Sequence, residues 1–330
     1  MKYITTLTLI FALSQCLYAQ HTFSIVAVDT ITNEVGSAGA TCLDSDDCSV
    51  CNATIISGLV PGRGAVNAQA QVCLPNINLN FAISDLQNGL SPQEVLDRRL
   101  MFDSCNTPNG VGDKQYGIAD LDGIGGARAV GYTGNNTLDE ANHIVGINYA
   151  IQGNILISED VLTGMEEGFS NTEGTLAEKL MGAMQGANIP GADSRCLPEG
   201  ISSKSAFVRI ACPDDFAPNF CLDLNVTDMP DGVDPIDSLQ NMFDQLVDIE
   251  FPSNEIPVKI FPSITHDFIQ IEFEKTGQYH IQIADMNGAI IMTDFTENNM
   301  QLDVSHLPQG IYFVQIVDQG NYFTQKIVIR

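Results

Sequence analysis

The stretch His21-Thr22-Phe23-Ser24-Ile25-Val26-Ala27-Val28-Asp29 decides the fold, because its polar and apolar residues alternate as in a β-strand. One face of this strand would carry Thr22, Ser24, Val26 and Val28, and the other Phe23, Ile25 and Ala27. The turn-rich residues 29–34 follow, so the sequence predicts a hairpin that returns through residues 35–41.

The residues before this strand have the form of a secretory signal peptide. Met1-Lys2 is basic, residues 4–13 are apolar, and Leu17-Tyr18-Ala19 ends in a small residue. The sequence therefore predicts a signal peptide over residues 1–19, with Gln20 as the first residue after cleavage. Lipoprotein processing at Cys16 is the alternative, which the large Gln15 before the cysteine disfavours.

Thr22 would then lie close to the start of the processed chain. A hydroxyl residue at a chain start can act as a nucleophile whose own α-amine serves as the base. The simpler interpretation is that Thr22 and Ser24 face a half-polar side of a sheet. Cleavage after Ala19 leaves Gln20-His21 ahead of Thr22, which then has no free α-amine. Three alternatives stay open: a second trimming step occurs, His21 or Ser24 takes part instead, or the site is inactive.

Composition indicates a folded, exported and acidic protein. The chain has 330 residues, enough for two domains, and a net charge of -27. This charge argues against nucleic acid and anionic lipid surfaces as partners. No apolar run after the leader is long enough to span a membrane, and the sequence leaves the oligomeric state open.

Cysteine usage supports export. Nine cysteines are present, and removal of Cys16 with the signal leaves eight, an even number typical of disulfides. Eight cysteines allow 105 pairings, so no connectivity is assigned. Cys48-Ser49-Val50-Cys51 has metal or redox spacing, but no second pair or matched histidine follows, which favours a structural bridge.

The order of elements is strands, then helices, then strands, which predicts an α+β layered domain. Strands are expected at 53–59, 64–72, 114–120, 127–132, 143–151, 205–211 and 220–226, and helices at 78–87, 91–102, 158–169, 175–185 and 237–247. No glycine-rich phosphate loop of the required form appears, and no cofactor or metal is predicted.

Several blocks resemble one family in its own order. These blocks are residues 22–29, 33–38, 61–70, 89–96, 115–120 and 149–156. They are similar to the domain of unknown function 1028 family, and the resemblance runs from about residue 22 to residue 210. It implies an Ntn-hydrolase-like αββα fold of two sheets between helices, over residues 20–248. The family has no established substrate.

Residues 258–330 form a separate all-β pattern after the proline-containing linker 249–257, and they contain no cysteine. Their alternation of polar and apolar residues predicts a small β-sandwich. The block Leu302-Asp303-Val304-Ser305-His306-Leu307-Pro308-Gln309-Gly310-Ile311-Tyr312 resembles the type A C-terminal sorting domain of the type IX secretion system. The resemblance implies the secretion machinery as a partner and passage through the periplasm and outer membrane to the cell surface or medium.

Two function classes follow. The first is a secreted amidohydrolase that acts on an unknown amide or peptide, with Thr22 as nucleophile. The second is an inactive binding or structural module on the same fold. The candidate site residues are Thr22, Ser24, Asn67, Gln69, Gln152 and Asn154. The side-chain amides of the asparagines and glutamines among them could donate hydrogen bonds to a developing oxyanion. His143, at the start of an expected strand, is interpreted as structural.

Overall fold

The computed structural model describes residues 17–20, 22–45, 52–138, 140–247, 258–285, 289–318 and 321–330. These residues form two compact units, one up to Phe243 and one from Asp244 onward, and each is considered by itself. Several predictions lie outside the described residues: the body of the signal peptide with Cys16, His21, the Cys48–Cys51 loop and the linker 249–257.

The first part of the chain alternates strands and helices. In chain order the elements are β1 Leu17–Gln20, β2 Thr22–Val28, β3 Val35–Thr41, β4 Ser57–Val60, β5 Gly64–Cys73, α1 Ile77–Gln87, α2 Pro92–Met101, β6 Lys114–Leu121, β7 Ala127–Thr133, β8 Asn142–Val145, β9 Tyr149–Gly153, α3 Asp160–Asn171, α4 Leu176–Gly186, β10 Ser205–Ala211, β11 Leu222–Val226 and α5 Pro235–Val247.

The strands build two antiparallel sheets. Sheet I has the order β1-β5-β6-β7, with β4 on the same edge of β5 as β1, and sheet II has the order β11-β10-β3-β2-β9-β8. The apolar residues Val26, Val28, Ala65 and Ala119 pack between the sheets. The helices α1 and α2 cover the outer face of sheet I, and α3 and α4 cover that of sheet II. The first unit is therefore a four-layered αββα domain.

The strand β2 has the two faces that its alternation predicts. Phe23, Ile25 and Ala27 pack in the core beneath α3 and α4, while Val26 and Val28 face sheet I. Every residue of β2 is buried, and β2 and β3 form the expected hairpin. Its polar residues therefore lie inside the domain rather than on a solvated side.

The start of α2 follows from its sequence. The Ser91 side chain accepts a hydrogen bond from the backbone of Glu94, and the Glu94 carboxylate accepts from the backbone of Ser91. Pro92 occupies the first turn, where its missing N–H is not needed. The capping box at residues 91–94 is confirmed, and the helix ends at Met101.

Helices α3 and α4 cross at glycines. An added Cβ at Gly164 would lie 2.2 Å from the carbonyl oxygen of Gly186, and one at Gly168 would lie 2.0 Å from that of Gly182. Such distances are far below van der Waals contact, so the two backbones touch directly. The spacing of four residues between the glycines of each helix places both on one helix face.

Three strand predictions need correction. The expected strand over residues 53–59 is a 3-10 turn at Ala53–Ile56 followed by β4, because Asn52 caps the turn by accepting from the backbone of Thr54. The expected strand over residues 143–151 is two strands, β8 and β9, because Gly146 donates to the Tyr149 carbonyl and closes a turn. The last strand of the unit begins at Leu222 rather than 220, since Asp215 accepts from the backbone of Cys221 and holds that segment in a loop.

Disulfides join distant and local parts of the first unit. The pairs are Cys42–Cys196, Cys73–Cys105 and Cys212–Cys221. The sequence predicted disulfides, and the structure supplies this connectivity for the described cysteines. Cys42–Cys196 ties the end of β3 to the segment after α4, across 154 positions of sequence.

The second unit is a small all-β sandwich, as its alternating pattern predicts. Its strands are β12 Val258–Phe261, β13 Ile264–Thr265, β14 Phe268–Phe273, β15 Tyr279–Asp285, β16 Ile290–Thr296, β17 Met300–Asp303, β18 Gly310–Asp318 and β19 Asn321–Ile329. They form the sheets β12-β14-β17 and β13-β19-β18-β15-β16. Alternate residues such as Ile269, Ile271, Val314 and Ile316 fill the core between them.

Candidate functional site

The space between sheets I and II is divided into an apolar half and a polar half. Valine, leucine and alanine side chains fill the half near the β2–β3 turn. At the other end, near Thr22, the two sheets meet through buried hydroxyl and amide side chains. We call this end the polar end; its buried members from the two sheets are Thr22, Ser24, Thr41, Gln152, Asn154, Asn67, Gln69 and Gln115.

Thr22 is the first residue of β2 and is 0 % exposed. Its carbonyl oxygen accepts from Gln69 Nε2 at 2.9 Å and from the backbone nitrogen of Asn154 at 3.1 Å. Its partner in the β2–β3 register is Thr41. Thr22 is therefore held at the polar end by contacts from both sheets.

The chain reaches Thr22 from the opposite sheet. Gln20, the last residue of β1, pairs with Ala70 of sheet I, whereas Thr22 pairs with Thr41 of sheet II. Gln20 and Thr22 therefore belong to different sheets, although only one residue separates them in sequence. In the chain with these residues in place, the nitrogen of Thr22 is a peptide amide and not a free amine.

Ser24 lies two residues further along the same face. Its Oγ donates to Gln69 Oε1 at 2.6 Å and accepts from Gln152 Nε2 at 2.5 Å. An amide oxygen is not a base, so these contacts fix the hydroxyl without removing its proton. The arrangement gives Ser24 the role of a neutral link between β2, β5 and β9.

Gln115 is the hub of this network. Its Oε1 accepts from Gln69 Nε2 at 3.0 Å and from Asn154 Nδ2 at 2.7 Å. Its Nε2 donates to the Gly153 carbonyl at 2.7 Å and to Thr133 Oγ1 at 3.0 Å. Both ends of one amide are thus used, which fixes its orientation and those of its neighbours.

The structure brings five of the six predicted site residues into one connected network, namely Thr22, Ser24, Gln69, Gln152 and Asn154. Asn67 lies on the same face of β5 as Gln69 but bonds elsewhere. Its Oδ1 accepts from Ser37 Oγ at 2.8 Å and its Nδ2 donates to the Ile25 carbonyl at 3.3 Å. It therefore joins the sheets beside the network.

One buried acceptor in this network lacks a partner among the described residues, the Oε1 atom of Gln152. This atom lies over Gly117 of β6, where an added Cβ would be only 1.8 Å from it. Only a glycine leaves room for the Gln152 amide at this point. An unpaired buried carbonyl costs about 1–3 kcal/mol, so its presence beside Ser24 marks a position able to accept a hydrogen bond from a ligand or water.

His143 borders the network on β8. Its Nδ1 lies 3.0 Å from Thr133 Oγ1, which already accepts from Gln115 Nε2. The Thr133 proton is therefore available to Nδ1, which favours a neutral imidazole protonated on Nε2. Burial lowers the pKa of His143 below its ordinary value of 6.5.

We expect the His143 imidazole to titrate below pH 6.5 in the folded protein. Because the unfolded chain binds the proton near pH 6.5, the stability due to neutral His143 is present above that pH and is lost as the pH falls below it. The measurement is the pH dependence of imidazole C–H chemical shifts by NMR, with His143→Gln to assign the signal. A midpoint above 6.5 would contradict a half-buried, neutral His143.

Sequence reasoning missed two members of the polar end, Thr41 and Gln115, and three residues that lie next to it, Thr133, Asp193 and Arg195. Gln115 and Thr133 lie on β6 and β7, where the alternation of side chains along a strand could have identified them as facing sheet II. Asp193 and Arg195 lie outside regular strands, and their place next to Thr41 depends on the Cys42–Cys196 pair. No local pattern reveals that pairing.

An open groove of about 530 Å³ lies at another part of the first unit. Asp44, Glu199, Asp228 and Asp231 line it together with Lys204, and none of the six predicted site residues does. Its acidic lining is a solvated surface feature and adds nothing to the network around Thr22.

A bound metal ion would need several ligating side chains close together. Within the described ranges, the group of histidine, cysteine or acidic residues close enough to share an ion is Cys212, Asp215 and Cys221. The two sulfurs are joined in a disulfide, and the Asp215 carboxylate accepts the backbone N–H groups of both cysteines. This group is a closed structural loop.

Residues 22–238 match the model of a family of unknown function, DUF1028. The chain belongs to this family. The match begins at Thr22, the first residue of β2, and covers the whole network at the polar end.

A solved structure supports the same fold. A DUF1028 family protein from Silicibacter pomeroyi is similar over 70% of this chain and 91% of its own, with a TM-score of 0.53 and 22% identity. An immunoglobulin-like β-sandwich protein of the DUF3244 family from Bacteroides vulgatus covers 23% of this chain and 85% of its own, with a TM-score of 0.21 and 13% identity. No curated protein sequence matches the chain.

The C-terminal unit is matched separately. Residues 259–330 fit the model of a secretion system C-terminal sorting domain. This domain indicates handling by the type IX secretion system and export to the cell surface or medium. Among the described residues, no helix is both long and apolar enough to cross a bilayer.

Proposed function

We propose that the first unit of this exported DUF1028 protein is an amidohydrolase that uses Thr22 as an N-terminal nucleophile. The observation that carries the proposal is the position of Thr22, at the first residue of a buried central strand and inside a network of neutral amides between two sheets. This position supports the proposal because an N-terminal nucleophile would need to be the first residue of a strand held between the central sheets.

The proposed chemistry requires that the residues before Thr22 are removed. A free α-amine on Thr22 titrates near pH 7.7–8.0 and can take the proton of the Thr22 hydroxyl at working pH. The hydroxyl oxygen attacks the carbonyl carbon of an amide, the proton passes to the leaving nitrogen, and water then hydrolyses the resulting ester. Removal of residues 20–21, after signal cleavage at Ala19, generates that amine.

The surrounding amides have two roles in this proposal. Gln69 and Asn154 hold the Thr22 carbonyl, and thereby fix the start of β2. Gln69, Gln152 and Asn154 also place amide groups beside the reaction centre, where they can stabilise a developing oxyanion. Asn67 supports the same two sheets from its contact with Ser37.

A second function is favoured by one specific observation. Thr22 is 0 % exposed and follows a strand paired with sheet I. A chain that keeps these residues after export has no free amine at Thr22 and no exposed nucleophile. In that case the domain is a secreted binding or structural module on a hydrolase-like fold.

The test compares two purified forms, one starting at Gln20 and one starting at Thr22. We expect an amine- and hydroxyl-reactive β-lactone probe to label Thr22 only in the second form, as seen by intact mass and peptide mapping. Hydrolysis of a panel of acyl p-nitroanilides should fall by about a thousandfold or more on Thr22→Ala, and Thr22→Ser should restore part of it.

The matched control is Thr163→Ala, which removes a threonine hydroxyl from the exposed surface of α3. It should change neither labelling nor hydrolysis. N-terminal sequencing of the exported protein completes the test. A natural start at Gln20, together with a Thr22-starting form that is neither labelled nor active, would exclude the amidohydrolase and leave the binding module.

A further inference from the structure

Strand β1 covers one edge of β5 next to the polar end. In their antiparallel register, Gln20 at the end of β1 lies opposite Ala70. Ala70 also pairs with Lys114 of β6, so β1 and β6 lie on opposite sides of β5. After this position the β6 ladder ends, and among the described residues β1 is the strand partner of residues 71–73. This part of β5 therefore has an edge that only β1 closes.

The backbone of Val72 faces β1. In the residue before it, the Gln71 carbonyl accepts from Lys114 Nζ at 2.6 Å, so the backbone groups of Gln71 face the side of β6. Successive residues of a strand direct their N–H and C=O groups to alternate edges, so those of Val72 face β1. The register places Tyr18 opposite Val72. These two residues exchange main-chain hydrogen bonds, whereas the backbone groups of Ala19 point away from β5.

The chain itself marks a route from this edge to Thr22. Gln20 pairs with sheet I, Thr22 pairs with sheet II, and a single residue joins them in sequence. With the preceding residues in place, Thr22 is 0 % exposed. Their removal, which the proposed function requires, empties both the edge of β5 and the route by which the backbone reaches Thr22. The space that opens has the shape of one extended chain.

A strand edge that opens in this way binds extended peptides. Without β1, the N–H and C=O groups of Ala70 and Val72 lose their strand partner on this side. Peptides add to such edges through main-chain hydrogen bonds, which select an extended backbone rather than one particular side chain. The residues of β1 itself show that a chain fits this edge in the antiparallel direction.

We propose that the edge of β5 left by β1 binds a peptide substrate as an added antiparallel strand, which brings the carboxyl end of its acyl part to Thr22. This inference rests on the proposed hydrolytic function of Thr22. The peptide runs in the direction of β1, so its last acyl carbonyl reaches the nucleophile. The Thr22 oxygen bonds to that carbonyl carbon, the amine leaves with the hydroxyl proton, and water then releases the peptide acid. The substrate class is therefore a peptide whose acyl part can replace the four residues of β1.

The first test varies the length of the acyl part with the form that starts at Thr22. The longest probe is acetyl-Leu-Tyr-Ala-Gln-His p-nitroanilide, which has the sequence of residues 17–21. Two shorter probes keep only its last three residues or its last residue. We expect kcat/KM to rise by about tenfold or more from the shortest to the longest probe, mainly through a lower KM, because the added residues supply main-chain hydrogen bonds. Equal kcat/KM values would contradict strand addition.

The second test measures binding without hydrolysis. The form starting at residue 22 carries Thr22→Ala, and calorimetry follows its binding of acetyl-Leu-Tyr-Ala-Gln-His amide. An N-methyl group on the tyrosine removes the N–H that faces the Val72 carbonyl, whereas one on the alanine removes an N–H that points away from β5. The two methylated peptides are isomers and serve as matched controls. We expect the tyrosine isomer to bind about tenfold or more weakly and the alanine isomer to stay within about twofold of the parent.

Two further measurements locate the site. Hydrogen exchange of the Val72 amide should slow when the peptide binds. A form that starts at Leu17 should bind the peptide about tenfold or more weakly, because β1 already occupies the edge. Circular dichroism verifies that each form is folded. If the form starting at residue 22 does not fold, the form starting at Gln20 also lacks Tyr18 and allows the same methylation test with acetyl-Leu-Tyr-Ala amide.

The outcomes separate this inference from the proposed function. Equal effects of the two methylations, no binding at about 1 mM peptide, or binding that residues 17–21 do not weaken would overturn strand addition, even if Thr22 hydrolyses the shortest anilide. If no probe is hydrolysed but only the tyrosine methylation weakens binding, the proposed function fails. The edge of β5 is then a peptide-binding site, as the inference states.

Discussion

Replacing Cys42 and Cys196 together by alanine is expected to lower the free energy of unfolding of the first unit by about 3–5 kcal/mol. The bond closes a sequence separation of 154, for which the chain-entropy model gives about 5 kcal/mol. In this model the loss of stability comes from the conformational entropy that the unfolded chain gains when the disulfide is removed. Urea unfolding followed by far-UV circular dichroism measures the loss.

The Cys212–Cys221 pair supplies the control for this experiment. It closes a separation of only 9, for which the same model gives about 3 kcal/mol. Cys212→Ala/Cys221→Ala should therefore cost about 2 kcal/mol less than the long-range pair. Equal losses would show that loop length is not the source of the stabilisation and would contradict the expectation.

Substituting Gly186 by alanine is expected to destabilise the first unit by about 2–3 kcal/mol. The added Cβ would lie 1.9 Å from the carbonyl oxygen of Gly164, so α3 and α4 must separate. Alanine gains up to about 1 kcal/mol of helix propensity over glycine, which the clash with a backbone atom exceeds. The midpoint of urea unfolding should fall without a change of slope.

Glu167→Ala is the matched substitution for this case, since it places an alanine on the exposed face of α3. Surface changes of this kind usually alter stability by less than about 0.5 kcal/mol. A Gly186→Ala protein as stable as Glu167→Ala would show that the helices can move apart at no cost. The direct backbone contact would then not contribute to the packing of this layer.

Local pattern was sufficient for elements whose signals lie within a few residues. Alternation in β2 gives both of its faces, and Ser91 with Glu94 gives the start of α2, because each depends on neighbours in sequence. The break between β8 and β9 was missed because residues 143–151 are largely apolar and the turn at Gly146 is short. The turn before β4 was missed because its cap, Asn52, acts through local hydrogen bonds from a single residue, Thr54.

The polar end could be predicted only in part. Thr22, Ser24, Gln69, Gln152 and Asn154 were identified from a strand pattern and a family resemblance, and the structure places them in one network. Gln115 joins that network from a third segment, and its role depends on the stacking of two sheets. The position of Arg195 depends on the Cys42–Cys196 disulfide. Eight cysteines allow 105 complete connectivities, and the sequence does not show which of them contains this pair.

The glycine contacts between α3 and α4 show a similar limit. Gly164 and Gly168, like Gly182 and Gly186, are spaced by four and lie on one face of their helix. The spacing is visible in the sequence, but it does not show which element the glycine face of each helix packs against. Only the antiparallel packing of the two helices turns the spacing into a backbone contact.

The division of the space between the sheets also sets how the sequence can drift. In the apolar half, Val26 and Ala65 can be exchanged for other residues wherever total volume is conserved. In the polar half, Gln69 and Gln115 each donate with one end and accept with the other. An isosteric glutamate would turn a donor into an acceptor there, so these positions accept almost no substitute of the same size. Variation among related chains should therefore concentrate in the apolar half of the space between sheets I and II. The polar end should change only through paired replacements.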